Sequence, residues 1–94
     1  MKIVNLQIRT LLWVEYRSEA KEIAKFLKEN DIFAVVPDEN HHKQELKHRT
    51  VQVFRPYLND ALKLAKKYAK KNNINILKDF NEFNENEIGN VTIL

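Results

Sequence analysis

Apolar residues follow two different spacings along this chain, and each spacing occurs twice. Alternating apolar and polar positions, typical of a strand with one buried side, occupy residues 3–16 and return at Arg49–Arg55. Apolar positions three and four residues apart, typical of a helix packed on one side, occupy Ser18–Glu29 and Tyr57–Lys71. The pattern therefore predicts a strand followed by a helix, and then the same pair again.

Each predicted helix is followed by a short apolar run, Ile32–Val36 after the first and Ile74–Phe80 after the second. The junctions match as well, because Lys28–Ile32 corresponds residue by residue to Lys70–Ile74. Two strand–helix–strand units in so short a chain predict an α+β, ferredoxin-like βαββαβ sandwich, with an antiparallel sheet and two helices on one of its faces.

The chain is expected to form one domain followed by a tail. Residues 1–80 are assigned to the domain, and residues 81–94 to a C-terminal tail that is acidic at first and apolar at its end. Because an apolar end of this kind is usually disordered unless it docks, we expect it to add an extra strand to its own sheet or to a neighbour's edge. Ser18 is the expected N-cap of the first helix.

Composition excludes several classes of protein. The 94 residues include 16 Lys and Arg against 13 Asp and Glu, a net charge of +3, and no Cys. Disulfides and thiolate metal sites are therefore excluded, and no apolar run approaches the roughly 20 residues of a membrane span. Asn5, Gln7 and Arg9 interrupt any signal-peptide core. We expect a cytoplasmic protein that makes no membrane contact.

The polar loop Asp38–His48 holds all three His residues together with several carboxylates. Two His and a carboxylate could bind a divalent metal, which would make the chain a metal-dependent hydrolase or nuclease. Adjacent His41 and His42, however, cannot point the same way on a strand, and a solvated hairpin tip is favoured. With a single Gly there is no phosphate-binding loop, and no nucleophile lies in a recognisable turn. We predict neither catalysis nor a cofactor.

The second predicted helix carries a stripe of basic residues that could neutralise nucleic-acid phosphates. The simpler interpretation is the solvated face of an amphipathic helix, partly balanced by the acidic tail. Nucleic-acid binding is kept as the alternative function, through Lys63, Lys66, Lys67, Lys70 and Lys71.

Aromatic and aliphatic residues are predicted on the sheet face that points away from the helices. Because the first and third strands are central neighbours in this fold, Trp13 and Phe54 are expected to lie close together. RNA-recognition motifs place aromatic residues there, but His48–Phe54 lacks their Gly and their paired aromatics, so a protein interface is favoured. The predicted interface, including the tail, consists of Leu11, Trp13, Phe33, Val35, Phe54, Val91 and Ile93.

Two segments resemble the small PII-like "putative signal-transducing" ferredoxin-like family. The first runs from Ser18 through Ile32 to Glu39, and the second from Val51 through Pro56 to Ala65. The resemblance implies a non-catalytic regulatory module that is oligomeric and holds a small ligand between its subunits.

The leading functional hypothesis is a small non-enzymatic protein that self-associates and regulates or inhibits a protein partner. Small Cys-free domains rich in Lys and Asn are also typical of phage or mobile-element accessory proteins. An inhibitor of a host defence enzyme is therefore one form of this hypothesis.

Overall fold

The computed structural model describes residues 7–37 and 48–82. Four strands and two helices lie in these ranges, and a short 3-10 turn at Arg55–Tyr57 leads into the second helix. In chain order the elements are β1 (Ile8–Val14), α1 (Arg17–Glu29), β2 (Ala34–Val35), β3 (Thr50–Phe54), α2 (Leu58–Lys71) and β4 (Ile76–Asp79).

The four strands form one antiparallel sheet in the order β2-β3-β1-β4. Helices α1 and α2 contact each other, and both contact β1 and β3, so they form one layer on one face of the sheet. The predicted α+β architecture is confirmed, and the arrangement is compatible with a ferredoxin-like fold. Among the described residues, no helix is long and apolar enough to span a membrane.

The hydrophobic core lies between the sheet and the helix layer. Along β3, Val51 and Val53 enter the core, while the residues between and beside them point to the other face. The helices contribute a stripe with the spacing that the sequence predicts, such as Ala20, Ile23 and Leu27 in α1. Each fully buried Leu or Ile side chain contributes roughly 1.5–3 kcal/mol of hydrophobic stabilisation.

Both helices end with the same backbone conformation, as the matching junctions predict. Asn30 and Asn72 follow the last helical residues, and each side-chain amide donates a 2.9 Å hydrogen bond to the carbonyl four residues earlier. The next residues, Asp31 and Asn73, have φ values of 65° and 55°. These are left-handed conformations that Asp and Asn tolerate better than most other residues.

The residue after each left-handed position closes the helix end. The Ile32 amide donates to the Leu27 carbonyl at 2.9 Å, and the Ile74 amide donates to the Ala69 carbonyl at 2.8 Å. This is the Schellman pattern, in which the closing residue also packs against the last turn. Because Ile32 and Ile74 are used in this way, β2 and β4 begin two residues later than their apolar runs predict.

The start of α1 differs from the prediction. The helix begins at Arg17 with Tyr16 as its N-cap, so Ser18 lies inside the first turn and does not cap it. The Glu19 carboxylate instead accepts a 3.1 Å hydrogen bond from the Tyr16 backbone N–H. An acid in the first turn also suits the positive end of the helix dipole. Strand β1 correspondingly ends at Val14, two residues before the predicted end.

Candidate interaction surface

The strand register defines which side chains share the sheet face opposite the helices, called here the second face. Trp13 is paired with Thr50 and with Lys78, and Val35 is paired with Gln52. Directly paired residues point to the same side of a sheet, and alternate residues of one strand do so too. The second face therefore carries Trp13, Phe33, Val35, Thr50, Gln52, Phe54 and Lys78.

Two phenylalanines form a stacked pair at one end of the second face. The rings of Phe33 and Phe54 have centroids 5.4 Å apart and planes inclined by 24°. Phe33 immediately precedes edge strand β2, and 49% of its surface is exposed. Stacking on Phe54 restricts the orientation of the Phe33 ring, so this edge of the sheet presents a positioned apolar surface to its surroundings.

The register corrects the expectation that Trp13 and Phe54 are neighbours. Strands β1 and β3 are indeed adjacent, but they are antiparallel, so Thr50 lies opposite Trp13 and Ile8 lies opposite Phe54. Trp13 and Phe54 are consequently separated along the sheet by about four residues, or roughly 13 Å. The aromatic neighbour of Phe54 is Phe33, which immediately precedes β2 on the other side of β3.

Leu11 is also corrected, because it is fully buried in the hydrophobic core and unavailable to an external partner. The pairing of β1 with β3 shifts by one residue between Thr10 and Leu12. An extra residue of this kind breaks the alternation of side chains, and both Leu11 and Leu12 join the core.

At the other end of the second face, Arg49 lies over the indole of Trp13, with the guanidinium carbon 5.8 Å from the ring centroid. Its Nη1 atom donates to the Glu15 carbonyl at 3.2 Å, which fastens the start of β3 to the end of β1. The contact with Trp13 is a cation–π interaction. Trp13 and Phe33 thus belong to two separate aromatic groups on one face.

Several predicted positions lie outside the described residues. These include Val91 and Ile93 of the tail and, apart from its last residue, the loop Asp38–His48. Within residues 7–37 and 48–82 no group of three His, Cys, Asp or Glu side chains is placed to hold a metal ion. Metal binding by the loop, the less favoured alternative to a solvated hairpin tip, therefore stays untested.

All five lysines of the predicted basic stripe are exposed on α2. Lys66 makes an ion pair with Asp79, with 3.3 Å between Nζ and Oδ2. Sequence reasoning missed a second stripe on α1, where Lys21, Lys25 and Lys28 are also exposed. This second stripe can be found from the sequence by aligning the two units at their helix ends, because its three lysines then correspond to Lys63, Lys67 and Lys70.

Asp79 is a further residue that sequence reasoning missed. Its carboxylate is largely buried, and Oδ1 accepts a 2.8 Å hydrogen bond from the Asn81 backbone N–H. The Glu82 carboxylate accepts a 3.1 Å bond from the Asp79 N–H. This second bond is the one that Glu makes in a capping box, and an Asp followed three residues later by Glu is the sequence signature of that motif, although here Asp79 caps the Asn81 amide. Residues 79–82 are called the capping turn below.

The Asp79–Lys66 ion pair lines an open groove of about 340 Å³ beside α2 and β4. Lys70 and Glu82 also border it, over an apolar floor that includes Ala69, Ile74 and Ile76. The two acidic and two basic side chains offset one another, and both acids are already engaged in the capping turn. The groove consequently has no strong preference for a ligand of either charge.

The two helices meet at equivalent positions. The rings of Phe26 and Tyr68 have centroids 4.7 Å apart, and the Tyr68 hydroxyl donates to Glu22 Oε1 at 3.3 Å. Desolvation against α1 and the nearby Glu22 carboxylate raise the pKa of Tyr68 above its ordinary value of 10.0. The contact therefore joins the two helices. Because its pKa is raised, the Tyr68 hydroxyl is protonated at neutral pH.

No protein-family model, curated protein or solved structure matches this chain. The resemblance to the PII-like family stays a prediction, as do its implied oligomer and small ligand.

Proposed function

We propose that this chain is a ferredoxin-like, non-enzymatic binding protein that acts through protein–protein association. Its contact surface is centred on the Phe33–Phe54 pair at the β2 edge of the sheet. In this proposal a second copy of the chain is the first partner, and the assembled form regulates or inhibits another protein.

The observation that carries the proposal is the exposure of Phe33 on a supported ring. Large apolar side chains at a protein surface are individually common, but Phe33 is half exposed and stacked on Phe54. An aromatic ring that is already oriented loses little conformational entropy when a partner covers it. Such residues supply a large share of the binding energy in protein interfaces.

The neighbouring edge strand supports the same location. Strand β2 has only two residues, and its described hydrogen-bonded partner is β3 on one side. The opposite side of an edge strand presents backbone groups that can pair with another chain. Phe33 lies directly before this edge, so backbone pairing and aromatic packing could occur together at one contact.

The experiment is native mass spectrometry of the full chain across a concentration series, comparing Phe33→Asp with Tyr16→Asp. Tyr16 is a matched control, because it is an exposed aromatic residue (59%) at the opposite end of β1 from the Phe33–Phe54 pair. Loss of a hot-spot residue costs about 2 kcal/mol or more, which weakens association about 30-fold. We expect a discrete dimer that Phe33→Asp dissociates and Tyr16→Asp preserves. A parent chain that stays monomeric, or an assembly indifferent to Phe33→Asp, would contradict the proposal.

Nucleic-acid binding is a second candidate, because the two helices carry corresponding lysine stripes. Lys63, Lys67 and Lys70 on α2 are exposed, as are their three counterparts on α1. The stripes lie on the flanks of the helix layer: Lys66 and Lys70 of α2 border β4, whereas the α1 stripe lines a groove with Val36. They therefore form two separate ridges, and a nucleic acid would follow one of them.

Filter binding to single-stranded and double-stranded RNA and DNA at several salt concentrations tests this candidate. Changing Lys63, Lys67 and Lys70 to Gln should reduce the slope of log affinity against log salt by up to about 3. The same change at Lys21, Lys25 and Lys28 is the matched control, since it removes the same charge from the other helix. Equal losses from both triple variants would indicate non-specific attraction, and absence of binding at low salt would remove the candidate.

A further inference from the structure

Helix α1 separates its charged side chains by sign. Of its acidic residues, Glu19 accepts a hydrogen bond from the Tyr16 N–H, and Glu22 accepts one from the Tyr68 hydroxyl of α2. Besides desolvation and Glu22, the charge of Glu29 adds to the raised pKa of Tyr68, so Glu29 also lies on the side that faces α2. The acidic side chains of α1 therefore lie at its first turn and toward α2.

The basic side chains of α1 lie on its other flank, beside the edge strand β2. Lys21, Lys25 and Lys28 are exposed and, together with Ala24 and Val36, line an open groove of about 280 Å³. Within the described part of the chain, no carboxylate lines this groove or forms an ion pair with its lysines. The groove consequently carries positive charge that the described residues leave unbalanced.

The groove beside α2 differs from this one in its charge. There Asp79 pairs with Lys66, and Glu82 lies at the same border as Lys70, so acidic and basic side chains offset one another. The α1 groove is lined by basic and apolar side chains alone, as far as the described residues extend. Because electrostatic complementarity steers association and suppresses partners of like charge, the α1 groove favours a negatively charged partner.

The size and lining of the α1 groove favour an acidic peptide as this partner. Pockets that enclose a small-molecule ligand usually measure about 300–1,000 Å³, whereas this groove is open and slightly smaller. Single-stranded nucleic acids stack their bases on aromatic side chains, and none of the residues that line the groove is aromatic. Lys21 and Lys28 are only about 10.5 Å apart along the helix axis, which is a short distance for a duplex to follow. A peptide can supply both carboxylates for the lysines and an apolar side chain for Ala24 and Val36.

We propose that the groove between α1 and β2 binds a short acidic segment of a partner protein. The carboxylates of the segment pair with the groove lysines, and an apolar side chain between them contacts Ala24 and Val36. Because alternate residues of a strand point to opposite faces, Val36 lies on the helix side of the sheet, and Phe33, stacked on Phe54, lies on the other. The groove is therefore a second contact surface, which goes beyond the one in the proposed function.

The experiment measures the fluorescence anisotropy of a short labelled peptide, in which Glu and Leu alternate, as the full chain is added. The test variant changes the three groove lysines to Gln. The matched control makes the same change at Lys63, Lys67 and Lys70, which removes equal charge from α2. Exposed ion pairs are individually weak, so we expect the test variant to weaken binding about tenfold and the control to weaken it about twofold or less. A peptide with Gln in place of Glu should not bind detectably.

Absence of binding to the parent chain would overturn the proposal, as would equal losses from the two triple variants, because binding would then follow net charge alone. Equal binding of the Gln peptide would overturn it too. Tighter binding of a single-stranded oligonucleotide that depends on the groove lysines would assign the groove to phosphates instead.

Nitrogen-15 chemical-shift mapping of the parent chain with the same peptide gives a second measurement, which needs no variant. The amide shifts should cluster at the residues that line the groove, in the range 21–28 and at Val36. Shifts that cluster on α2 or around the Phe33–Phe54 pair would overturn the proposal independently of the affinities.

Discussion

The first unit (β1, α1 and β2) and the second unit (β3, α2 and β4) have nearly identical helix ends but different strands after them. Both helices end with Asn, a left-handed residue and Ile. Beyond that point β2 is a two-residue edge strand preceded by exposed Phe33, whereas β4 has four residues and ends in the Asp79 capping turn. The two helix ends are alike because each is determined by the few residues around it. The length of the following strand depends instead on its pairing partners and on the residues after it.

The units also differ in how they fill the core beneath their helices. Ile23 and Leu27 of α1 are large, and the corresponding residues of α2 are Ala65 and Ala69. The order is reversed one turn earlier in α1, where Ala20 corresponds to Leu62. Protein interiors are close-packed, so a large residue in one helix and a small residue at the corresponding position of the other divide the core volume between the two helices. The two units therefore repeat the same backbone arrangement, but not the same side-chain sizes. At these core positions, one helix has a large residue where the other has a small one.

The largest effect is expected from making the first unit resemble the second within the core. Leu27→Ala places the α2 residue at the corresponding position of α1 and leaves a cavity under a fully buried site. We expect the free energy of unfolding to fall by about 2–5 kcal/mol. Urea denaturation measures the loss, and Leu64→Ala, at a partly buried α2 position, is the control. A loss below that of Leu64→Ala would show that the two units do not share their core in this complementary way.

A smaller and equal effect is expected at the two helix ends. Asp31→Ala and Asn73→Ala each place a residue with a Cβ, and without a polar side chain, at positive φ. Each should lower the free energy of unfolding by about 1 kcal/mol, because the left-handed region disfavours Ala. Asp31→Gly and Asn73→Gly are the controls and should be neutral or stabilising. Clearly unequal losses from the two Ala variants would mean that only one unit depends on this conformation.

The smallest effect concerns the contact between the units and depends on pH. The pKa of Tyr68 is raised in the folded chain, by desolvation first and then by Glu22, so folding favours the neutral hydroxyl. The corresponding stability is fully present below the unfolded pKa of about 10 and is lost as pH rises through the folded value. Thermal unfolding from pH 8 upward should therefore show a steeper decline for the parent chain than for Tyr68→Phe. Parallel declines would contradict this role of Tyr68.

The sequence predicted those features that depend on neighbouring residues. Amphipathic spacing located both helices, and the repeated Asn, Asn or Asp, and Ile residues located their ends. The fold class follows from the alternation of strands and helices, and strand β3 was placed by its own alternation. These features are determined within a few residues, so a single sequence contains them.

The surface was predicted less well, because it depends on register between distant segments. One extra residue in β1 moved Leu11 into the core, and the antiparallel pairing separated Trp13 from Phe54. Neither the extra residue in β1 nor the separation of Trp13 from Phe54 can be predicted from the sequence of one strand alone. By contrast, the Asp79–Glu82 capping pattern and the lysines of α1 were available in the sequence, and aligning the two units would have found the second of these.

Arg17 has a consequence for how the chain tolerates change. Its Nη1 atom donates to the Pro37 carbonyl at 2.8 Å and to the His48 carbonyl at 3.0 Å, which holds the two ends of residues 38–47 together at the start of α1. A connection whose ends are already joined adds little entropic cost when it lengthens, about 0.6 kcal/mol for each doubling. The Pro37–His48 junction is therefore a natural grafting point, where an epitope or a short binding peptide can be inserted while the sheet and both helices stay as they are.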